Sequence, residues 1–142
     1  MSAVSELGFY PRILLAKSFI DSHDRAIETI AKVLRDGGME VILLEYEVAE
    51  QVAAAAIQED VDVIGVSFMS GGQVDVTKTL VAALAEAGRS EIPLVVGGTI
   101  RPFDVAELEA AGVRSIFRGG EPLATVLATF AGLARESRAA SR

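Results

Sequence analysis

The chain has 142 residues, with 13 basic against 20 acidic side chains for a net charge of −7, one histidine, no cysteine and no tryptophan. Its 51% hydrophobic and 23% charged content predicts one globular domain, because a chain of this length buries roughly 70% of its extended surface, and excludes disorder and disulfide-stapled folds. Without cysteine there is no zinc ribbon, iron–sulfur cluster or thiolate nucleophile, a single histidine builds no multi-histidine metal site, and the acidic balance argues against nucleic acid, whose binding draws on cations set against phosphates.

Residues 1–10 read as an N-terminal arm containing Glu6 and no basic residue. No run approaches the ~18 apolar residues of a membrane span, so a cytoplasmic protein with no membrane partner is expected. Residues 11–134 carry the domain. Short β-branched or apolar runs at Arg12–Ala16, Glu40–Leu44, Val61–Ser67, Leu94–Val96 and Ser115–Phe117 predict strands. Several are continuously apolar, as in strands covered on both faces, and Val61–Ser67 reads as central. Helical period marks Arg25–Asp36, Val48–Glu59, Val74–Ala87, Val105–Ala111 and Leu123–Ala134, the first with Ile27, Ile30, Ala31 and Leu34 in one stripe. Gly37-Gly38, Gly88 and Gly112 follow three of these helices, where glycine closes a helix in the left-handed conformation. Residues 135–142 lose apolar period and are expected to form a frayed C-terminal tail.

Five β–α units in about 125 residues fit a doubly wound parallel sheet, and connections this short leave no second domain. Ligands of such a sheet bind beyond the carboxyl ends of the strands, which directs attention to Lys17–Asp24, the start of the second helix, Phe68–Gln73, Gly97–Pro102 and Arg118–Pro122. Several chemistries fail there. The turn Lys17-Ser18-Phe19-Ile20-Asp21 lacks the glycines of a dinucleotide site, and no G-x-x-x-x-G-K-[ST] string occurs. Gly65-Val66-Ser67-Phe68-Met69 starts like a nucleophile elbow but puts Met69 where the second glycine must stand, and the histidine precedes the serine. A phosphoacceptor domain needs an aspartate at the end of the third strand, where this chain has Ser67.

The histidine, His23, lies in the first of these loops. A lone histidine is more often a surface or capping residue than a ligand. Here it follows the first strand on the ligand-binding edge, two residues after Asp21, which could accept its second ring proton and fix its tautomer. Asp21 or Asp24 could equally cap the helix beginning near Arg25. Paired glycines after strands commonly serve turns alone, the reading favoured for Gly71-Gly72; for Gly97-Gly98 a ligand role is favoured. Phe68 reads equally as packing or as an aromatic surface at a pocket mouth.

These residues resemble a family, the cobalamin-binding domain of adenosylcobalamin-dependent acyl-CoA mutases of the methylmalonyl-CoA mutase kind. Asp21-x-His23-x-x-Ala26, containing Arg25 and preceded by Ile13-Leu14-Leu15-Ala16-Lys17, matches D-x-H-x-x-G. Gly65-Val66-Ser67-Phe68-Met69 matches a serine-x-leucine block with methionine for leucine, and Val95-Val96-Gly97-Gly98-Thr99-Ile100 and Ile116-Phe117-Arg118-Gly119-Gly120-Glu121 complete four blocks in order. The resemblance implies a five-stranded flavodoxin-like (Rossmann-like) fold binding adenosylcobalamin. His23 would be the metal ligand, replacing the cofactor's benzimidazole on cobalt through Nε2, with Asp21 on Nδ1 and Lys17 hydrogen-bonded to or paired with Asp21. The displaced base and nucleotide tail would enter a slot beside Ser67 and Met69, with Gly97, Gly98, Gly119 and Gly120 leaving room. Two departures stand out: Ala26 replaces the motif's glycine, and Gly119-Gly120-Glu121 departs from G-x-G-T.

The resemblance further implies half a catalyst, with no residue of this chain acting on substrate. A separate large barrel subunit would bind the acyl-CoA, and radical chemistry begun by cobalt–carbon homolysis would drive a 1,2 carbon-skeleton rearrangement there. The expected role is the small subunit of a heteromeric mutase; a free-standing cobalamin carrier or sensor is the alternative.

Overall fold

A computed structural model describes residues 7–21, 24–69 and 71–140. The chain alternates β1 Arg12–Ser18, α1 Asp24–Asp36, β2 Glu40–Tyr46, α2 Ala49–Gln58, β3 Val63–Phe68, α3 Gln73–Glu86, β4 Leu94–Gly98, α4 Val105–Ala111, β5 Ser115–Phe117 and α5 Leu123–Ala140. All strands are parallel, in the order β2-β1-β3-β4-β5, as expected of a doubly wound sheet.

Side chains of the inner strands alternate between two cores. Leu14, Ala16, Ile64 and Val66 join the helices α2, α3 and α4 on one face, and Ile13, Leu15, Val63 and Val95 join α1 and α5 on the other. Both faces are covered, which is why β1, β3 and β4 read as continuous apolar runs. At the centre of β3, Gly65 stands where a side chain would displace its neighbours. A Cβ there would lie 2.8 Å from Leu15 Cδ2 and 3.2 Å from Phe130 Cζ.

Element types agree throughout with the sequence reading, but several ends move. Strand β1 continues through Lys17 and Ser18, paired with Glu45 and Tyr46 of β2, although a lysine in a buried strand breaks the apolar signal. Strand β4 likewise extends to Gly98. Strand β3 begins at Val63 instead of Val61. Just before it, the buried carboxylate of Asp62 accepts the Arg12 backbone N–H at 2.9 Å, and both Nε and Nη2 of Arg138 at 3.0 Å. A short 3-10 helix, Pro102–Asp104, precedes α4.

The expected frayed tail is a correction. Helix α5 runs on to Ala140, six residues beyond the predicted Ala134. Tertiary contacts replace the missing apolar stripe. Ser137 is buried, Arg138 binds Asp62 with its guanidinium 4.1 Å over the Phe9 ring, and Arg114 reaches Glu136 at 3.0 Å. Burial of one carboxylate among these donors makes the pair costly to break from one side. Asp62→Ala is expected to lower unfolding free energy by about 2–3 kcal/mol in denaturant titration. Glu40→Ala, which removes the exposed partner of Arg12, is expected to cost less.

Candidate functional site

The sheet changes winding direction between β1 and β3, and beyond their carboxyl ends a cleft of about 420 Å3 opens between the sheet and the pair α1 and α5. Leu15, Gly65 and Val95 form its floor, Ala26, Ile27 and Ile30 one wall, and Leu123, Val126 and Phe130 the other. Strand register sets a row across its upper end. Lys17 is level with Ser67, Ser67 with Gly97, and Gly97 with Phe117. Ser67, Gly97 and Phe117 line the cleft, while Lys17 is buried beside it.

Gly98 shapes the edge. Its φ of +109° is closed to most side chains, and a Cβ would sit 2.3 Å from the Phe68 carbonyl oxygen and 2.9 Å from the Met69 sulfur. The neighbouring Thr99 N–H donates to that same carbonyl at 2.7 Å, holding the ends of β3 and β4 together. At Gly97 a Cβ would be 3.3 Å from the Phe117 carbonyl oxygen. By contrast, Gly71 and Gly72 have φ of +97° and +78° with no atom within 4 Å of a Cβ, and Gly72 opens α3, in keeping with a turn role. Phe68 is buried in the core on the other face of the sheet.

In the first loop, Asp21 N–H donates to the Ser18 carbonyl at 3.0 Å, and the buried Lys17 Nζ donates to the backbone carbonyl of Asp21. The lysine therefore braces the turn that presents Asp21. Asp21 is itself buried, and the phenol of Tyr46 is pushed up to about 12 by burial and, secondarily, by the negative charge of Asp21. His23 lies outside the described residues, as do Ser22 and Ser70. Helix α1 begins at Asp24, with Ala26 on the cleft wall and Arg25 exposed and not lining it.

The loop between β5 and α5 closes the cleft. Gly119 and Gly120 have φ of +99° and +88° with open space at their Cβ positions. Glu121 Oε2 accepts the Arg118 N–H at 3.0 Å and Oε1 accepts the Gly119 N–H at 2.9 Å, bonds that hold its carboxyl below the usual carboxylate range, the Arg118 N–H contributing most. The cleft thus gathers Ala26, Ser67, Met69, Gly97, Gly98, Gly119 and Gly120, with Lys17 and Asp21 beside it. Sequence reasoning quoted Gly65, Thr99 and Phe117 within matched blocks but gave them no role: Gly65 is hidden in an apolar run, Thr99 bonds the Phe68 carbonyl, and strand register sets Phe117 level with Gly97.

A family model described as the B12 binding domain matches residues 11–127. The 2-hydroxyisobutanoyl-CoA mutase small subunit of Aquincola tertiaricarbonis is 40% identical over 112 residues, covering 78% of this chain and 82% of that protein. The pivalyl-CoA mutase small subunit of Xanthobacter autotrophicus is 36% identical over 129 residues, covering 90% and 86%. The methylmalonyl-CoA mutase large subunit of Streptomyces virginiae is 39% identical over 114 residues, 80% of this chain but 16% of that protein. Among solved structures, a cobalamin-binding protein from Desulfitobacterium hafniense DCB-2 shares the fold with a TM-score of 0.66 at 18% identity, over 94% of this chain and 58% of that one. A chemotaxis response regulator of Vibrio cholerae shares it equally, with a TM-score of 0.66 at 18% identity over 88% and 99%.

The two kinds of glycine separate in a stability measurement. Gly98→Ala is expected to cost more than about 2 kcal/mol, combining forbidden backbone with a clash against a carbonyl, and Gly71→Ala about 1 kcal/mol from backbone alone, both read by thermal denaturation.

Proposed function

The chain belongs to the B12-binding domain family, and from that premise we propose that it is the cobalamin-binding small subunit of a heteromeric adenosylcobalamin-dependent acyl-CoA mutase. The observation that carries this reading is the extent of the match. The chain aligns over 82% and 86% of two mutase small subunits, and over only 16% of a large subunit.

The cleft suits the cofactor's nucleotide tail. At about 420 Å3 it falls within the range of small-molecule sites, and its lining is chiefly apolar with Ser67, Thr29 and Thr99 as neutral polar groups. Glycine at 97, 98, 119 and 120 keeps backbone within reach of a ligand where a side chain would fill the space or strain the turn. Ser67 would hydrogen-bond the displaced base, Met69 would pack on it, and Gly119-Gly120 would approach ribose or phosphate. When bound, adenosylcobalamin supplies the radical chemistry of a 1,2 carbon-skeleton rearrangement.

This chain's part would be to hold cobalt through its histidine. His23 would ligate through Nε2, and Asp21 would accept the Nδ1 proton, fixing the tautomer and raising the donor strength of the ring. The bond from Lys17 to the Asp21 carbonyl supports this role for the turn, since it orients the residue that must orient the histidine. Arg25 has no assigned contact beyond its place in the motif. A large barrel subunit would bind the acyl-CoA and cover the other face of the cofactor. A cytoplasmic location suits such a subunit; among the described residues no helix is long and apolar enough to cross a membrane.

Absorbance spectroscopy with adenosylcobalamin tests the ligand. Wild-type protein is expected to give a base-off, histidine-ligated spectrum that His23→Ala abolishes; a free-cofactor spectrum from wild type, even with the large subunit present, contradicts the assignment. Ala26 stands on the cleft wall, so Ala26→Gly is expected to tighten binding in the same titration; unchanged or weaker affinity removes the steric explanation for that position.

A further inference from the structure

Charge is scarce in the cleft. Among its described lining residues only Arg118 and Glu121 are ionised groups, and they sit together on the loop between β5 and α5. Each oxygen of the Glu121 carboxylate takes one backbone N–H, from Arg118 at 3.0 Å and from Gly119 at 2.9 Å. Successive backbone N–H groups that converge on one point in a glycine turn form a concavity suited to an anion. Here the chain itself provides the anion. Nothing lies within 4 Å of a Cβ at Gly119 or Gly120, so the turn is open to a ligand in the cleft.

We propose that Glu121 is a built-in occupant of an anion-binding turn at the cleft, which an anionic ligand group reaches only by displacing its carboxylate, making Glu121 a determinant of selectivity between corrinoids with and without a phosphate-bearing tail. The inference rests on the cobalamin reading for its ligand, because the nucleotide tail of cobalamin carries a phosphodiester. The anion-binding capacity of the turn does not rest on it. The two N–H groups can serve one negative partner at a time, and a second anion beside Glu121 meets like charge where Arg118 is the only cation among the described lining residues. The carboxyl is also stabilised in its ionised form by the same two bonds, so it remains a competitor at neutral pH.

Two substitutions test this. Glu121→Gln removes the charge while keeping an acceptor oxygen for the loop, and Glu121→Ala empties the turn. Equilibrium titration compares cobalamin with cobinamide, the corrinoid lacking the nucleotide tail and its phosphodiester. Both variants are expected to bind cobalamin about tenfold more tightly relative to cobinamide than wild type does, the scale of one charge-assisted hydrogen bond. An unchanged or reduced ratio overturns the proposal and leaves Glu121 a brace for its loop. A second arm uses inorganic phosphate and amide NMR. In Glu121→Ala the Arg118 and Gly119 amide signals are expected to shift saturably with phosphate and in wild type to stay put; still signals in the variant overturn the proposal whether or not cobalamin binds. Failure of wild-type protein to bind either corrinoid counts against the cobalamin reading alone, and the phosphate arm still decides the role of Glu121.

Discussion

The backbone of Gly98 passes so close to the carbonyl of Phe68 that no side chain fits between them, and the form of the carboxyl edge follows from that approach. Because β4 runs this near to β3, Thr99 can bond the same carbonyl, and the two strand ends act as one ledge. The ledge carries Met69 and brings Gly97 level with Ser67, leaving an opening beside it that Gly65 deepens. A side chain at any of these three glycines would meet the far side chains or carbonyls that bound the cleft. The cavity is therefore made by what the strands omit.

The two edges of the sheet are built on opposite principles. At the amino edge, Asp62, Arg12 and Arg138 satisfy one another around a buried carboxylate, with Arg89 bridging Asp60 and Glu91 nearby. At the carboxyl edge the cleft is nearly neutral, and its polar groups are chiefly hydroxyls and backbone N–H. Ionic stabilisation is thus concentrated at the amino edge, and the cleft at the carboxyl edge is chiefly apolar, the character usual in small-molecule sites. The likeness to a response regulator makes a related point. The same fold serves both, but the residue near the end of β3 here is Ser67, not the aspartate that phosphoacceptor chemistry needs, so the residues set at the carboxyl edge and not the architecture decide the function.

The strands were legible because burial on both faces demands apolar runs, and the helices because their stripes repeat. What escaped was decided by distant partners. Lys17 looks like a loop residue until its ammonium is seen bonded to Asp21, and only then can a buried strand continue through it. Residues 135–140 lack a helical stripe, and their order comes from Asp62, some 76 positions away along the chain. The glycines of the carboxyl edge could be read as candidate ligand contacts from their place after strands. The use of Glu121 could not, since a carboxylate folding back on its own loop leaves no pattern in the residue order.

Helix α5 lines the cleft with Leu123, Val126 and Phe130 near one end and is tied through Arg138 to Asp62 near the other. Its 18 residues span about 27 Å at the rise of an α-helix. Between those ends Ala131, Leu133 and Ala134 are buried against the sheet, so the wall and the clamp are two ends of one packed element. The polar last turns of α5 thus help fix the line of the helix that walls the cleft without touching the cleft themselves.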